Sequence, residues 1–235
     1  MERKLLELAE NHLLKILEFN PYANFEGVNS TMDFMEIIEH DPAFAPFSLN
    51  REKYITARFG GNLVTSLHRK LGDLYEDLIL ALLSEKFGLT KEYLKYSLDL
   101  QIDNESQKRT TDGRIMLVDI NEELQKIVKP CIKGDYKGLA MEVRSCYQIG
   151  DSKRIQADEH MATALKLQDI EPKMLILCNT SLKSPVKRLS KHWDLYEGKS
   201  AFDFIEKLTE FDLFSFLMNN KGKFEKIIEQ IFNKF

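Results

Sequence analysis

The chain has 235 residues, 43% of them hydrophobic and 30% charged, with few Gly or Pro; this is enough apolar material for a buried core and excludes a disordered or low-complexity protein. A formal net charge of −4 excludes a uniformly basic nucleic-acid coat, so any contact with nucleic acid has to come from a local basic surface. Three cysteines, Cys131, Cys146 and Cys178, form no CxxC pair and no Cys/His cluster at zinc spacing; they read as ordinary thiols of a reducing compartment, which excludes a disulfide scaffold and a zinc site.

The N-terminal MERKLLELAENHLLKILEF interleaves charges with leucines. That pattern predicts an amphipathic helix over 2–18, not a signal peptide or a membrane span, and hence a cytoplasmic protein with no membrane partner. Residues 20–50 are less regular, with Pro42 and Pro46 in a DPAFAP loop, and Gly60-Gly61 reads as a break or flexible turn. Leu71, Leu74, Tyr75, Leu78, Ile79, Leu82 and Leu83 repeat at helical spacing up to Gly88, a natural stop. Glu76 falls at the edge of that apolar stripe. A shorter helix is predicted over 90–98.

Strand patterns follow at 113–120 (GRIMLVDI), 138–147 (GLAMEVRSCY) and 173–179 (KMLILCN). Between the last two, 152–168 reads as a helix with Ser152 as a candidate cap and Ile155, Met161, Ala162 and Leu165 on its apolar side, which makes a βαβ unit. Residues 200–218 and 222–234 return to helix. The fold class predicted is α/β: a small mixed central sheet flanked by helices, with a helical N-terminal region and a helical C-terminus. The organisation predicted is one domain over 1–235, comprising a mainly helical region (1–69), a core (70–180) and a basic loop with C-terminal helices (181–235).

The chemistry concentrates in GLAMEVRSCY. Alternation puts Glu142 and Arg144 on one face of their strand, and charges there are costly if buried alone, so that face is either solvated or a site. Asp112 stands at the entry of the preceding strand, in TTDGR, and converges with Glu142 if the two strands pair. Two converging carboxylates repel one another; a divalent cation removes that penalty, and oxygen ligands suit magnesium, with manganese able to substitute. Asp119, inside IMLVDI, is the rival to Asp112 as the first ligand. Asp112 also reads as a turn residue before Gly113, and Glu142 with Arg144 as a solvent-facing cross-strand pair. Asp158 falls on the apolar side of its helix, where a pairing or supporting role is open.

An Asp at a strand start, a strand carrying Glu-x-basic, then a helix and a further strand resembles the PD-(D/E)XK nuclease superfamily. The segment EVRSCYQIGDSKRIQAD, from Glu142 to Asp158, looks in particular like type II restriction endonucleases. The resemblance covers roughly residues 70–180. It implies a restriction-endonuclease-like fold, Mg2+-dependent hydrolysis of double-stranded DNA at a short specific site, and a homodimer acting on a palindromic target. It implies Asp112 and Glu142 as metal ligands, Glu76 as an acidic residue completing a second metal site, and a catalytic cation at position 144. Arg144 departs from the usual Lys; a guanidinium stabilises charge but does not act as a general base, and Lys153 is the nearest lysine in sequence that could substitute. Another nuclease of the same fold, or a non-catalytic nucleic-acid-binding domain, remains open.

For DNA contacts the most basic stretch is KSPVKRLSKHW, with Lys183, Lys187, Arg188 and Lys191, suited to phosphate oxygens. A second candidate is Lys153-Arg154 with Gln156 at the start of a helix, where phosphate is favoured and Arg and Gln side chains read base edges. A third basic segment, Arg51 to Arg58, has no assigned role.

Overall fold

The structure, a computed structural model, describes every residue except 24, 103–104, 149–151 and 234–235. In chain order its elements are α1 (Glu2–Leu14), α2 (Thr31–His40), α3 (Glu52–Phe87), α4 (Lys91–Leu94), β1 (Ser97–Ile102), β2 (Glu105–Thr110), β3 (Gly113–Met116), α5 (Glu122–Val128), β4 (Gly138–Arg144), α6 (Ser152–Leu167), β5 (Ile170–Ile176), α7 (Lys183–Leu189), β6 (Asp194–Glu197), α8 (Lys199–Thr209), α9 (Leu213–Asn219) and α10 (Lys221–Phe232). The protein is mixed α/β, with a four-stranded sheet and a separate two-stranded one. None of the described helices is long and apolar enough to cross a membrane. The chain forms two compact units, one of residues 1–9 and 72–221, the other of residues 10–71 and 222–235.

In the first unit the sheet order is β3-β4-β5-β6. β3 runs antiparallel to β4, while β4, β5 and β6 are parallel. The α6 crossover between β4 and β5 is the βαβ unit expected from their apolar runs. β4 is a central strand, buried at six of its seven residues, so Glu142 is enclosed and Arg144, its last residue, is only half-buried. Gly138 is required where β3 and β4 meet: a Cβ there would lie 2.4 Å from the Ile115 carbonyl oxygen. Along one face Ala140, Met174 and Ile176 pack on Ile155, Met161, Ala162 and Leu165 of α6, joined by Leu98 and Leu100 of β1 and by the sole tryptophan, Trp193. Each buried Leu, Ile or Met side chain among these contributes about 1.5–3 kcal/mol of transfer free energy.

Four expectations for this unit are corrected. The strand over 113–120 ends at Met116, opposite Gly138 where β4 begins. Beyond it the chain turns into a 3-10 helix (Leu117–Asp119), and Gln125 Nε2 donates to the carbonyls of Leu117 and Ile120 at 2.8 and 3.2 Å in place of a ladder. The helix over 90–98 is only α4, capped by Thr90, because Thr111 N–H donates to Tyr96 O at 2.8 Å and draws the chain into the β1–β2 hairpin. The single helix over 200–218 is α8 and α9: Glu210 adopts a left-handed φ of 58° and Asp212 caps the new helix by accepting from Ser215 N–H at 2.8 Å. The short strand β6 lies within sequence that reads as loop. The cap expected of Ser152 lies outside the described side chains.

On the other face of β5, Lys173 is fully buried and paired with Glu171 (2.9 Å) and Asp194 (2.7 Å). The Tyr196 hydroxyl also donates to Asp194, at 2.9 Å. A buried ammonium persists only with partners of this kind.

The second unit is helical. Gly60 and Gly61 do not break the chain; both lie inside the 36-residue α3. Each interior glycine costs about 1 kcal/mol of helix propensity. Ile55, Phe59 and Leu63, one turn apart and all buried, outweigh that by their apolar burial. α2, within the segment expected to be irregular, is capped by Ser30, whose Oγ accepts from Asp33 N–H at 3.2 Å. Its Phe34 packs at 5.0 Å on Phe59 and at 4.7 Å on Phe25. Arg58 lies over the rings of Phe25 and Phe34 at 5.8 and 5.3 Å, so the third basic segment is partly structural.

Candidate active site

The pairing of β3 with β4 decides where Asp112 goes. Gly113 is opposite Met141, and the ladder extends one residue further, with Asp112 N–H donating to Met141 O at 2.9 Å. Asp112 therefore stands beside Glu142, at the end of the sheet where β4, β5 and β6 have their carboxyl ends. Open α/β sheets gather ligand-binding groups there. The Asp112 carboxylate is held by the Val143 N–H, which donates to Oδ2 at 2.8 Å.

Arg144 gathers the cluster. Its Nη1 donates to Asp112 Oδ2 (3.3 Å) and Val143 O (2.9 Å), and its Nη2 to Glu142 Oε2 (2.5 Å) and Asp158 Oδ1 (3.2 Å). Four oxygens thus surround one guanidinium. Asp158 comes from α6 and is fixed from behind, since the Tyr147 hydroxyl donates to its Oδ2 at 2.5 Å and Trp193 Nε1 to its backbone oxygen at 3.0 Å. Glu142 and Asp158 are about 5% exposed, which removes the reading of Glu142 and Arg144 as a solvent-facing pair.

Negative charge exceeds positive charge in this enclosure. Burial pushes the Glu142 carboxyl up to about 8, with Asp112 and Asp158 adding to the rise and Arg144 opposing it. Burial likewise raises Asp112 to about 6, reinforced by Glu76 and opposed by Arg144, the Val143 N–H and Lys95. Arg144 is pulled the other way: burial alone lowers it, but Glu142, Asp158 and Asp112 raise it well above its ordinary value. Glu76 on α3 forms an ion pair with Lys95; burial lowers Lys95, but that pairing together with Asp112 raises it above its ordinary value.

Of the residues expected at the site, Asp112, Glu142 and Arg144 are brought together, Asp158 joins them, and Glu76 lies close enough to raise Asp112. Asp119 is removed from contention: it is exposed, beyond the far end of β3, and bonded by the Tyr93 hydroxyl. Lys153 is exposed on the first turn of α6, with Arg154 and Gln156; the lysine whose charge acts on Asp112 is Lys95. Lys95 and Tyr147 are the site residues that sequence reasoning did not assign. Lys95 lies in the link from α4 to β1 and carries no motif.

Lys183, Lys187 and Arg188 are exposed on α7, with Lys191 just beyond it. Arg188 is engaged by Glu159 of α6 through bonds of 2.6 and 2.7 Å, so its charge is largely matched, whereas the three lysines line an exposed surface.

Comparisons with protein families, with curated proteins and with solved structures found no match to this chain. Among the described residues no group of three or more His, Cys, Asp and Glu side chains is arranged to hold a metal ion. The pair Asp112–Glu142 nevertheless fits a hard divalent cation in its donor chemistry. Both are carboxylates, both are raised first by burial and further by neighbouring carboxylates, and Arg144 engages one oxygen of each, Oδ2 and Oε2.

Proposed function

We propose that the chain is a magnesium-dependent DNA endonuclease, a type II restriction endonuclease of the PD-(D/E)XK kind that its sequence resembles. The observation that carries this reading is the pair of half-buried Asp112 and buried Glu142, set side by side at a sheet end with more carboxylates than cations around it. The order of elements supports it: a helix with Glu76, two paired strands with Asp112 and Glu142, then α6 and a parallel β5, as the resemblance implies for a restriction-endonuclease-like fold.

Asp112 and Glu142 would hold the ion, which supplies Lewis-acid polarisation of a phosphodiester and a water of lowered pKa. Arg144 keeps a fixed positive charge at the carboxylate oxygens and is placed to stabilise negative charge developing on phosphate; it does not exchange a proton at neutral pH. Asp158, Tyr147 and Trp193 hold that guanidinium in register. Lys95 adds a second cation, oriented by Glu76. Lys183, Lys187 and Lys191 offer phosphate contacts on duplex DNA, and a homodimer would present two such sites to a palindrome.

The test is incubation of purified protein with plasmid DNA and Mg2+, followed by sequencing of the ends, beside Asp112→Ala. Discrete fragments that Asp112→Ala does not produce support the reading. A second reading, a non-catalytic nucleic-acid-binding domain, is favoured by Arg144, which stands where the resemblance expects Lys and is already bonded to Asp112, Glu142 and Asp158; DNA binding with no cleavage in Mg2+ or Mn2+ would select it.

A further inference from the structure

Cys146 and Cys178 take no part in the carboxylate cluster, yet the sheet brings them together. β4 and β5 are in parallel register with Arg144 opposite Ile176. The pairing continues past both strands: Leu177 N–H donates to Arg144 O at 2.8 Å and Cys178 N–H to Ser145 O at 3.1 Å. Two residues on from Arg144 and Ile176 stand Cys146 and Cys178. The Ser181 hydroxyl touches both sulfurs, at 3.7 Å from Cys146 Sγ and 3.4 Å from Cys178 Sγ, and accepts the Tyr147 N–H at 3.0 Å. Opposed positions on neighbouring strands are about 5 Å apart at Cα, within the span that a disulfide accepts.

The two thiols are unequal. Burial raises both, but Cys178 is held below its ordinary value by hydrogen bonds from Cys146, Ser181 and Thr180. Cys146 is pushed up by burial and by its bond to Cys178. Both are half-buried, whereas Cys131 is buried, with its thiol donating to Ile127 O at 3.5 Å. Of two such thiols the one with more thiolate character and some access is the nucleophile, and its neighbour resolves the product.

We propose that Cys146 and Cys178 form a two-cysteine oxidation site whose oxidant is a hydroperoxide. The Cys178 thiolate attacks the peroxide oxygen, the O–O bond breaks, and with hydrogen peroxide hydroxide leaves, forming the Cys178 sulfenic acid. The Cys146 sulfur then attacks Cys178 Sγ, the S–O bond breaks, and the departing hydroxide takes the Cys146 proton as water. Two thiols lose two electrons, one peroxide gains them, and one disulfide joins the ends of β4 and β5. None of this depends on the nuclease reading.

The test treats the full chain with hydrogen peroxide and counts free thiols after denaturation, with mass spectrometry of the digested protein. The expected result is a fall from three free thiols to one, a Cys146–Cys178 cross-linked peptide within one chain, and full reversal by dithiothreitol. Cys131→Ser should form the same cross-link. Cys146→Ser should instead accumulate a sulfenic acid at Cys178, captured by dimedone at least about tenfold faster than at Cys131. Three thiols persisting, a cross-link to Cys131 or between two chains, or dimedone capture no faster at Cys178 than at Cys131 would overturn the proposal.

Discussion

Glu142→Gln should stabilise the protein without metal at pH 8 and at the same time abolish cleavage. The Glu142 carboxyl is raised from 4.5 to about 8, first by burial and then by Asp112 and Asp158. Below pH 4.5 the folded and unfolded chains are both protonated there and the shift costs nothing. Between 4.5 and about 8 the folded chain holds the proton that the unfolded chain has released, so stability falls as pH rises, and above 8 the full cost is present. At about 1.4 kcal/mol per pH unit the gap corresponds to an upper bound of about 5 kcal/mol; relaxation around the ionised carboxylate brings the expected gain of the glutamine variant to the order of 3 kcal/mol at pH 8. The variant keeps only the weaker dependence from Asp112, between 3.8 and about 6. Urea unfolding followed by fluorescence of Trp193, buried in the same unit, measures this from pH 4 to pH 9 with EDTA and again with Mg2+. Magnesium should stabilise the wild type and leave the variant unmoved, since a ligand stabilises only a folded state that binds it. A wild-type stability flat between pH 5 and 8, or a glutamine variant less stable than wild type at pH 8, would refute the electrostatic account of the site.

Lys95→Ala should slow cleavage by about ten- to a hundredfold with DNA affinity nearly unchanged, and Lys95→Arg should restore most of it, because the variant removes a fixed charge near Asp112 that arginine puts back; unchanged cleavage kinetics in Lys95→Ala would remove Lys95 from the site. Arg144→Lys should retain Mg2+-dependent cleavage, since one ammonium still faces Asp112 and Glu142. It should cost about 1–3 kcal/mol of stability, since it cannot also reach Asp158; loss of all cleavage would mean that the guanidinium fork itself is required. Replacing Lys183, Lys187 and Lys191 one at a time with Ala should weaken DNA binding and make log K against log salt shallower by about 0.9 for each phosphate no longer neutralised. Arg188→Ala, whose charge Glu159 already matches, should change that slope least, and equal slopes for all four variants would contradict the surface assigned to α7.

What could be read from the residues alone follows from the range of the forces involved. β4, α6 and β5 were legible because their apolar residues are buried in one shared core and the three elements follow one another in the chain. Gly60-Gly61 misled because helix propensity is a local quantity of about 1 kcal/mol per glycine, while the burial of Ile55 and Phe59 depends on the aromatic cluster around Phe34 and that of Leu63 on Leu13, Ile16 and Ile231. The β1–β2 hairpin and β6 were hidden for a related reason. β6 has only four residues and carries little pattern of its own, while SLDLQI does alternate, with Leu98 and Leu100 on the α6 side of the core, but the helix expected over 90–98 covers its start.

The site divides along the same line. Strand alternation is a short-range rule, so the shared face of Glu142 and Arg144 could be derived directly, and the convergence with Asp112 needed only one assumption, that neighbouring strands pair. Choosing Asp112 over Asp119 needed the register, which Gly138 helps to set by admitting the β3 backbone where no side chain would fit. Lys95 had no such rule to reveal it. It lies within the stretch 90–98 that sequence reads as helix, and it acts on Asp112 while paired with Glu76 on α3. On the nuclease reading, Lys95 is a second cation beside the departure at Arg144. The guanidinium supplies a permanent charge among Asp112, Glu142 and Asp158, Lys95 supplies another beside Glu76, and the cluster still has carboxylates to spare. Burial, with that surplus added, raises Glu142 to about 8, which ties the stability of this unit to pH.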